Sequence, residues 1–328
     1  MKYIEGFMDY TMDRDTAVTL GKFDGLHRGH QELIRRICAK KAQGLESAAV
    51  TIWPNPKAPA LLTKGEKKAL LKKFGVQWWI DCPFLPQISH MEPETFVREI
   101  LAKRLRAKYI AVGSDFRFGY QRRGDCALLA KMQKECGYEL EVVEKECYEG
   151  REISSSYVKE ALAKGNMELV NTLLGYPYTV QGEVLHGRRI GRTLGMPTTN
   201  IIPSVGKLLP PNGVYASKTI IQPQTYGADE GQQMESCCGI TNIGYKPTVG
   251  EYFRGVETYL FDYEGDLYGR MIEVQLYAYE RPEQKFPDME ELKAQMHRDI
   301  AFGKNYFRMP LEKTIFVVDG NSRVCYNS

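Results

Sequence analysis

The hydrophobic grammar of the chain changes near residue 178, and that change restricts the fold more than any single motif. Before it, short apolar runs alternate with helical stretches. The runs are AVTLG (17–21), SAAVTIW (47–53), QWWID (77–81), KYIAVG (108–113) and ELEVVE (139–144), with helical patterns near 29–43, 66–74, 93–106 and 125–136. Strands separated by helices of this length need right-handed crossovers, so a parallel sheet covered on both faces is expected. Such sheets bind ligands beyond the carboxyl ends of their strands. GKFDGLHRGH (21–30) follows one such end and GSDFRFG (113–119) another, so both loops are expected on one edge. After residue 178, YTVQGEVLH, GVYASKTII, CCGITNIG, VETYLFDY and RMIEVQLYAY read as strands with little helix between them. That pattern predicts a small antiparallel β-barrel, closed off by the helix DMEELKAQMHRDIAF (288–302).

The expected division is therefore an α/β domain over 1–163, a linker helix over 164–177, a barrel domain over 178–302 and a tail over 303–328. A chain of 328 residues is long enough for two such cores. The polar stretch IQPQTYGADEGQQMES (221–236) reads as an exposed hairpin loop. A net charge of +3 is too small to imply nucleic acid, and KGEKK (64–68) and AKRLRAK (102–108) read as solvated helix faces. No apolar run approaches the ~20 residues that span a bilayer, so no membrane association is expected. MKYIEGFMDYTMDRD lacks a signal-peptide core, and the eight cysteines form neither a CxxC pair nor a zinc-spaced cluster. Scattered thiols of this kind lead to the expectation of a cytoplasmic protein.

GKFDGLHRGH joins flexible backbone to two imidazoles. Gly21 and Gly25 admit close approach of backbone to a ligand, and a helix starting near Arg28 offers unpaired N–H groups to an anion. His27 and His30 are three apart and share a face in the first turn, where both can donate to phosphate oxygens. Read alone, the motif also fits a strand–turn–helix junction with two incidental surface histidines.

A second phosphate-handling run is GEVLHGRRIGRTLGMPTTNI (182–201). Gly187, Gly191 and Gly195 mark a loop whose amides can wrap phosphates, with Arg188, Arg189 and Arg192 nearby. Thr198 and Asn200 point the same way on an extended segment and supply oxygen ligands suited to Mg²⁺. A glycine-rich hairpin with surface arginines is the alternative.

The motifs resemble, in order and spacing, the bifunctional prokaryotic riboflavin kinase/FMN adenylyltransferase (FAD synthetase) family. GKFDGLHRGH, TIWPNP (51–56), VGSDFRFG (112–119) and ISSSYVKEAL (153–162) are similar to the adenylyltransferase signatures. LGMPTTN (194–200), PNGVYA (211–216), TNIGYKPTVG (241–250), ETYLFDYEGDLYG (257–269) and RPEQKF (281–286) are similar to those of riboflavin kinase. The resemblance implies a Rossmann-like nucleotidyltransferase domain followed by a riboflavin kinase barrel. It implies Mg²⁺, ATP as co-substrate, riboflavin and FMN as substrates, and FMN and FAD as products. In the first domain it assigns Lys22, Phe23, Asp24, Asn55, Ser155, Ser156 and Lys159 to the nucleotide, and Asp115 and Phe116 to the ribose or flavin side. In the second it makes Glu257 the base that takes the proton of riboflavin's primary alcohol, with Tyr259, Arg281 and Phe286 at the flavin. Asn55, Tyr157, Lys159 and Tyr259 depart from residues common in the family; Tyr157 brings no charge where arginine is usual. Those departures keep open a kinase with a slow adenylyltransferase half, and a non-catalytic flavin-binding sensor.

Overall fold

The sheet of the first half is parallel throughout and six-stranded, in the order β1 (Lys2–Glu5), β4 (Trp78–Pro83), β3 (Glu46–Trp53), β2 (Thr16–Gly21), β5 (Ala107–Gly113) and β6 (Glu139–Val143). These are taken from a computed structural model that describes residues 1–6, 10–53, 58–83, 86–186, 196–222, 235–248 and 251–309. Asn55, Gly187, Gly191, Arg192 and Gly195, the arginines at 188 and 189 and the tail from 310 lie outside those residues.

Neighbouring strand residues alternate between two buried layers. Val18, Val50, Trp78 and Ile110 face one core, and Ala17, Ala49, Trp79 and Tyr109 face the other. Burial on both sides explains why these strands read as unbroken apolar runs. The helices α1 (Arg28–Ala39) and α2 (Lys64–Lys73) cover one face through Leu33, Ile34, Ile37 and Leu71. A π-helical stretch (Phe96–Arg104) and α3 (Cys126–Cys136) cover the other through Val97, Ile100 and Leu129. The chain winds from β2 to β3 and β4 on one side and returns to β5 on the other, so β2 and β5 flank the switch point. The two glycine-bearing loops expected on one edge emerge there side by side.

Two helices, α4 (Ser155–Ala163) and α5 (Met167–Leu174), lead into a closed antiparallel barrel. Its strands are β7 (Tyr178–Leu185), β8 (Thr198–Ile201), β9 (Gly213–Ile221), β10 (Glu235–Thr248), β11 (Glu251–Leu260) and β12 (Met271–Arg281). They run around the barrel as β7-β8-β11-β10-β9-β12, with β12 closing onto β7. The interior holds Val180, Val256, Leu260, Val274 and Leu276, and this core is continuous with α4, α5 and Leu61 of the first half. On the outside, α6 (Met289–Tyr306), capped by the Asp288 side chain, packs on β9 and β10 through Val214 and Ile240, with Phe261, just after β11, in the same cluster.

Candidate active sites

The first site is a cleft of about 280 Å³ at the sheet's switch point. Gly21, Lys22, His27, Gly29 and His30 line it from β2 and α1, Gly113, Asp115 and Phe116 from β5, and Ser154 and Ser155 from α4. Two helix N-termini thus face one cavity, and no side chain caps α1, so its first amides are available to an anion.

The loop leading to α1 is bent under strain. Phe23 and Leu26 hold φ of 47° and 41°, and Gly25 holds +84°. Bulky residues seldom accept the left-handed region. Phe23 is fully buried and meets the His30 ring edge-on at 5.0 Å. A Cβ on Gly25 would lie 2.7 Å from Leu61 Cδ1, so packing inside the protein already demands glycine there.

His27 and His30 are brought together more closely than their spacing predicts, as stacked rings with centroids 3.7 Å apart. Burial pushes His27 down to about 4 against the opposing pull of Asp24, and pushes His30 well below its ordinary value, with His27 and Lys67 adding to the fall. Both Nδ1 atoms are buried and have no hydrogen-bond partner among the described residues. A pair of neutral imidazoles under an open helix N-terminus is a donor set waiting for anionic oxygen.

The remaining predicted residues divide. Asp24 turns inward: its carboxylate accepts from the Leu61 amide (2.8 Å) and pairs with Lys159 (2.6 Å), while its carbonyl accepts from Ser155 Oγ (2.7 Å). Ser156 and Lys159 are not among the residues lining the cleft. Tyr157 is buried, with the Arg151 guanidinium 3.9 Å above its ring. Asp115 pairs with Lys145 at 3.0 Å, a cleft residue that no sequence motif singled out.

The second site lies on the barrel's outer face, where two cavities share Thr198. One, about 300 Å³, lies open to one side between the barrel and α6 and holds Glu257, Tyr259, Arg281 and Phe286 together with Asn242, Glu283 and Met296. The other, about 350 Å³, is lined by Thr198, Asn200, Tyr263 and Asp266. Strand register builds this arrangement. Asn200 and Asn242 flank Glu257 from either side, and Thr198 and Ile240 flank Tyr259. Directly opposed residues share a face, so the two rows point outward together. The Thr198 hydroxyl donates to Glu257 Oε1 at 2.6 Å, joining the two cavities through one hydrogen bond.

Asn242 and Glu283 were not singled out in the sequence, because only the closed barrel pairs Asn242 with Glu257 and brings Glu283 to the same cavity, whereas Asn200, already expected as an oxygen ligand, stands opposite Glu257 from β8. Asn242 donates to Glu283 (3.3 Å), which also accepts from Asn212 (3.1 Å) and fastens the segment after β12 to β10. Arg281 reaches the cavity, but its guanidinium forks onto Asp299, with Nε–Oδ1 at 2.8 Å, and so clamps β12 to α6. Beside it, Glu280 Oε2 is buried and has no partner among the described residues. Burial pushes that carboxyl up to about 7, with Asp299 adding to the rise and Arg281 opposing it. A carboxyl raised in the fold contributes stability that is full below its unfolded value near 4.5 and is lost as pH rises through 7. Glu280→Gln should therefore raise the melting temperature at pH 8 and show no gain near pH 5, as thermal denaturation at the two pH values will read.

Fold and sites together fit a two-domain phosphotransfer enzyme, with two stacked imidazoles in a cleft on an α/β sheet and a carboxylate beside a threonine hydroxyl and two asparagine amides on a barrel. Residues 9–157 match the family described as FAD synthetase, and residues 174–307 match the family described as riboflavin kinase. The bifunctional riboflavin kinase/FMN adenylyltransferase of Escherichia coli is 36% identical over 318 residues, covering 94% of this chain and 98% of that protein. That of Listeria monocytogenes is 34% identical over 310 residues, covering 91% and 95%. The chain belongs to the bifunctional riboflavin kinase/FMN adenylyltransferase family. A crystal structure of a macrolide-efflux protein from Streptococcus pneumoniae has the same two-domain architecture, with a TM-score of 0.80 at 27% identity over 92% of this chain and 99% of that one. No helix among the described residues is long and apolar enough to cross a membrane.

Proposed function

We propose that the barrel phosphorylates riboflavin to FMN with ATP and that the α/β domain adenylylates FMN to FAD, releasing pyrophosphate. The observation that carries the reading is Thr198, which lines both barrel cavities and donates to Glu257. An alcohol in one cavity and a nucleotide in the other would meet at this residue. Glu257 accepts the proton of the primary alcohol as its oxygen attacks the γ-phosphorus; the bond to the β–γ bridging oxygen breaks and ADP leaves. Thr198 and Asn200 present a hydroxyl and an amide oxygen from one strand face, a hard-donor pair that fits Mg²⁺. When bound there, Mg²⁺ offsets nucleotide phosphate charge.

In the first site an FMN phosphate oxygen attacks the α-phosphorus of ATP and pyrophosphate departs. A phosphate monoester with a second pKa near ~6 is already largely dianionic at pH 7, so the protein's task is alignment and charge stabilisation. His27, His30 and the α1 amides perform it, with Asp115 and Phe116 on the opposite wall. The free thiols at Cys38, Cys82, Cys126, Cys136, Cys147, Cys237 and Cys238 support a reducing, cytoplasmic location.

The test is incubation of the protein with riboflavin, ATP and Mg²⁺, followed by chromatographic separation of flavins. FMN and FAD are the expected products, and riboflavin alone would overturn both assignments. One observation favours a slower second step: Lys159, which stands where the family carries arginine, is held by Asp24, and the neighbouring Tyr157 is buried. FMN accumulating far ahead of FAD would select that reading.

A further inference from the structure

The loop between Gly21 and α1 is held in shape by residues that are themselves held by the barrel. Asp24 is fixed by the Leu61 amide, and the Leu61 carbonyl accepts from Lys207 Nζ at 2.7 Å. Leu61 therefore connects Asp24 of the first motif, through its amide, to a lysine 146 positions beyond Leu61, through its carbonyl. Lys207 also pairs with Glu66 at 2.8 Å, the two side chains being 1% and 2% exposed. Glu66 closes the capping box of α2 with Thr63, and its neighbour Lys67 donates to the Lys22 carbonyl at 2.9 Å. Around Lys207 the backbones lie side by side, the Ala60 amide donating to the Gly206 carbonyl and the Leu208 amide to that of Ala60, both at 2.9 Å.

We infer that Lys207 of the kinase barrel is a positioning residue for adenylyl transfer, fixing the strained phosphate loop through Leu61 and Glu66. Two facts give the contact this weight. A buried ammonium is stable only where its donors are met, and Lys207 meets a carboxylate, a carbonyl and, 4.3 Å away, the Tyr178 ring. The loop it supports contains two bulky residues at positive φ, conformations that persist only when the surroundings over-determine them. Without Lys207, the Leu61 carbonyl and Glu66 lose a buried donor, and the Leu61 amide that bonds Asp24 is held less firmly. The inference rests on the assignment of adenylyl transfer to the first site.

Lys207→Met removes the donor. The double variant Glu66→Gln with Lys207→Met also removes the lone buried carboxylate, which separates loop placement from loss of folding. Each activity is measured separately, with riboflavin or with FMN supplied, beside a thermal melt. Both variants should raise KM for ATP in adenylyl transfer about tenfold, a fraction of the roughly 10²-fold that a 1 Å misplacement of binding groups can cost. Riboflavin phosphorylation should stay within about twofold, because Lys207 lines neither barrel cavity. Wild-type adenylyl transfer by the double variant would overturn the inference. So would a parallel fall of both activities with melting temperature, since that marks a purely structural contact. A wild-type enzyme that makes FMN and no FAD would instead overturn the first-site reading, and this inference with it.

Discussion

Glu257→Gln is expected to lower riboflavin phosphorylation by about 10²–10⁴-fold, the range that removal of a general base produces. Adenylylation of supplied FMN should proceed at the wild-type rate. The substitution isolates proton acceptance from placement. A glutamine carbonyl still accepts from Thr198, so the hydrogen bond linking the two cavities persists while the anionic proton acceptor is gone. The cross-strand neighbours Asn200 and Asn242 are neutral amides that cannot take over the proton. Riboflavin affinity, read by fluorescence titration, should change little because shape and polarity are retained. Steady-state phosphorylation within about threefold of wild type would remove Glu257 from the base role, since so small a loss lies below the range expected of a general base.

How much of this was legible in the sequence follows the range of the forces involved. Local pattern carried the sheet: AVTLG and SAAVTIW become β2 and β3 with their ends displaced by one residue. β1 went unread because KYIE is short, and half-exposed on a sheet edge it has neither alternation nor an apolar run. The segment 93–106 reads as helix, yet its hydrogen bonds over Phe96–Arg104 are π-type, and residue spacing carries no signal for that. The first site was largely visible because its chemistry sits within ten consecutive residues. Asp24, however, was read as nucleotide-facing, whereas its bonds to Leu61 and Lys159 turn it toward the protein.

In the barrel, Glu257 is one acidic residue on a strand, and composition alone favours a solvated face. What distinguishes it is barrel register, which sets Asn200 and Asn242 against it across 57 and 15 positions of chain, the differences between the paired residue numbers. The Lys207–Glu66 contact is more remote still. Both residues belong to types usually exposed, and neither is recognisable as buried until two domains have docked.

His30→Ala is expected to slow adenylyl transfer by about 10²–10³-fold, the loss typical when one preorganised donor to a developing oxyanion is removed. Phosphorylation of riboflavin should be untouched. The same substitution carries a pH signature that a structural role would not produce. Both histidines have folded pKa values lowered by burial, His27 to about 4. Between that value and their ordinary 6.5 the unfolded chain binds more protons than the native one, so stability is greatest above pH 6.5 and is lost as pH falls toward 4. A nucleotide placing negative charge against the stacked rings favours their protonated forms and offsets that loss. The rise in melting temperature produced by ATP should therefore be larger at pH 5.5 than at pH 8. In a protein lacking both imidazoles, His27→Ala with His30→Ala, the two rises should converge. Equal stabilisation at both pH values in the wild type would mean that the triphosphate does not approach these rings. The helix terminus would then have to bear the departing pyrophosphate alone.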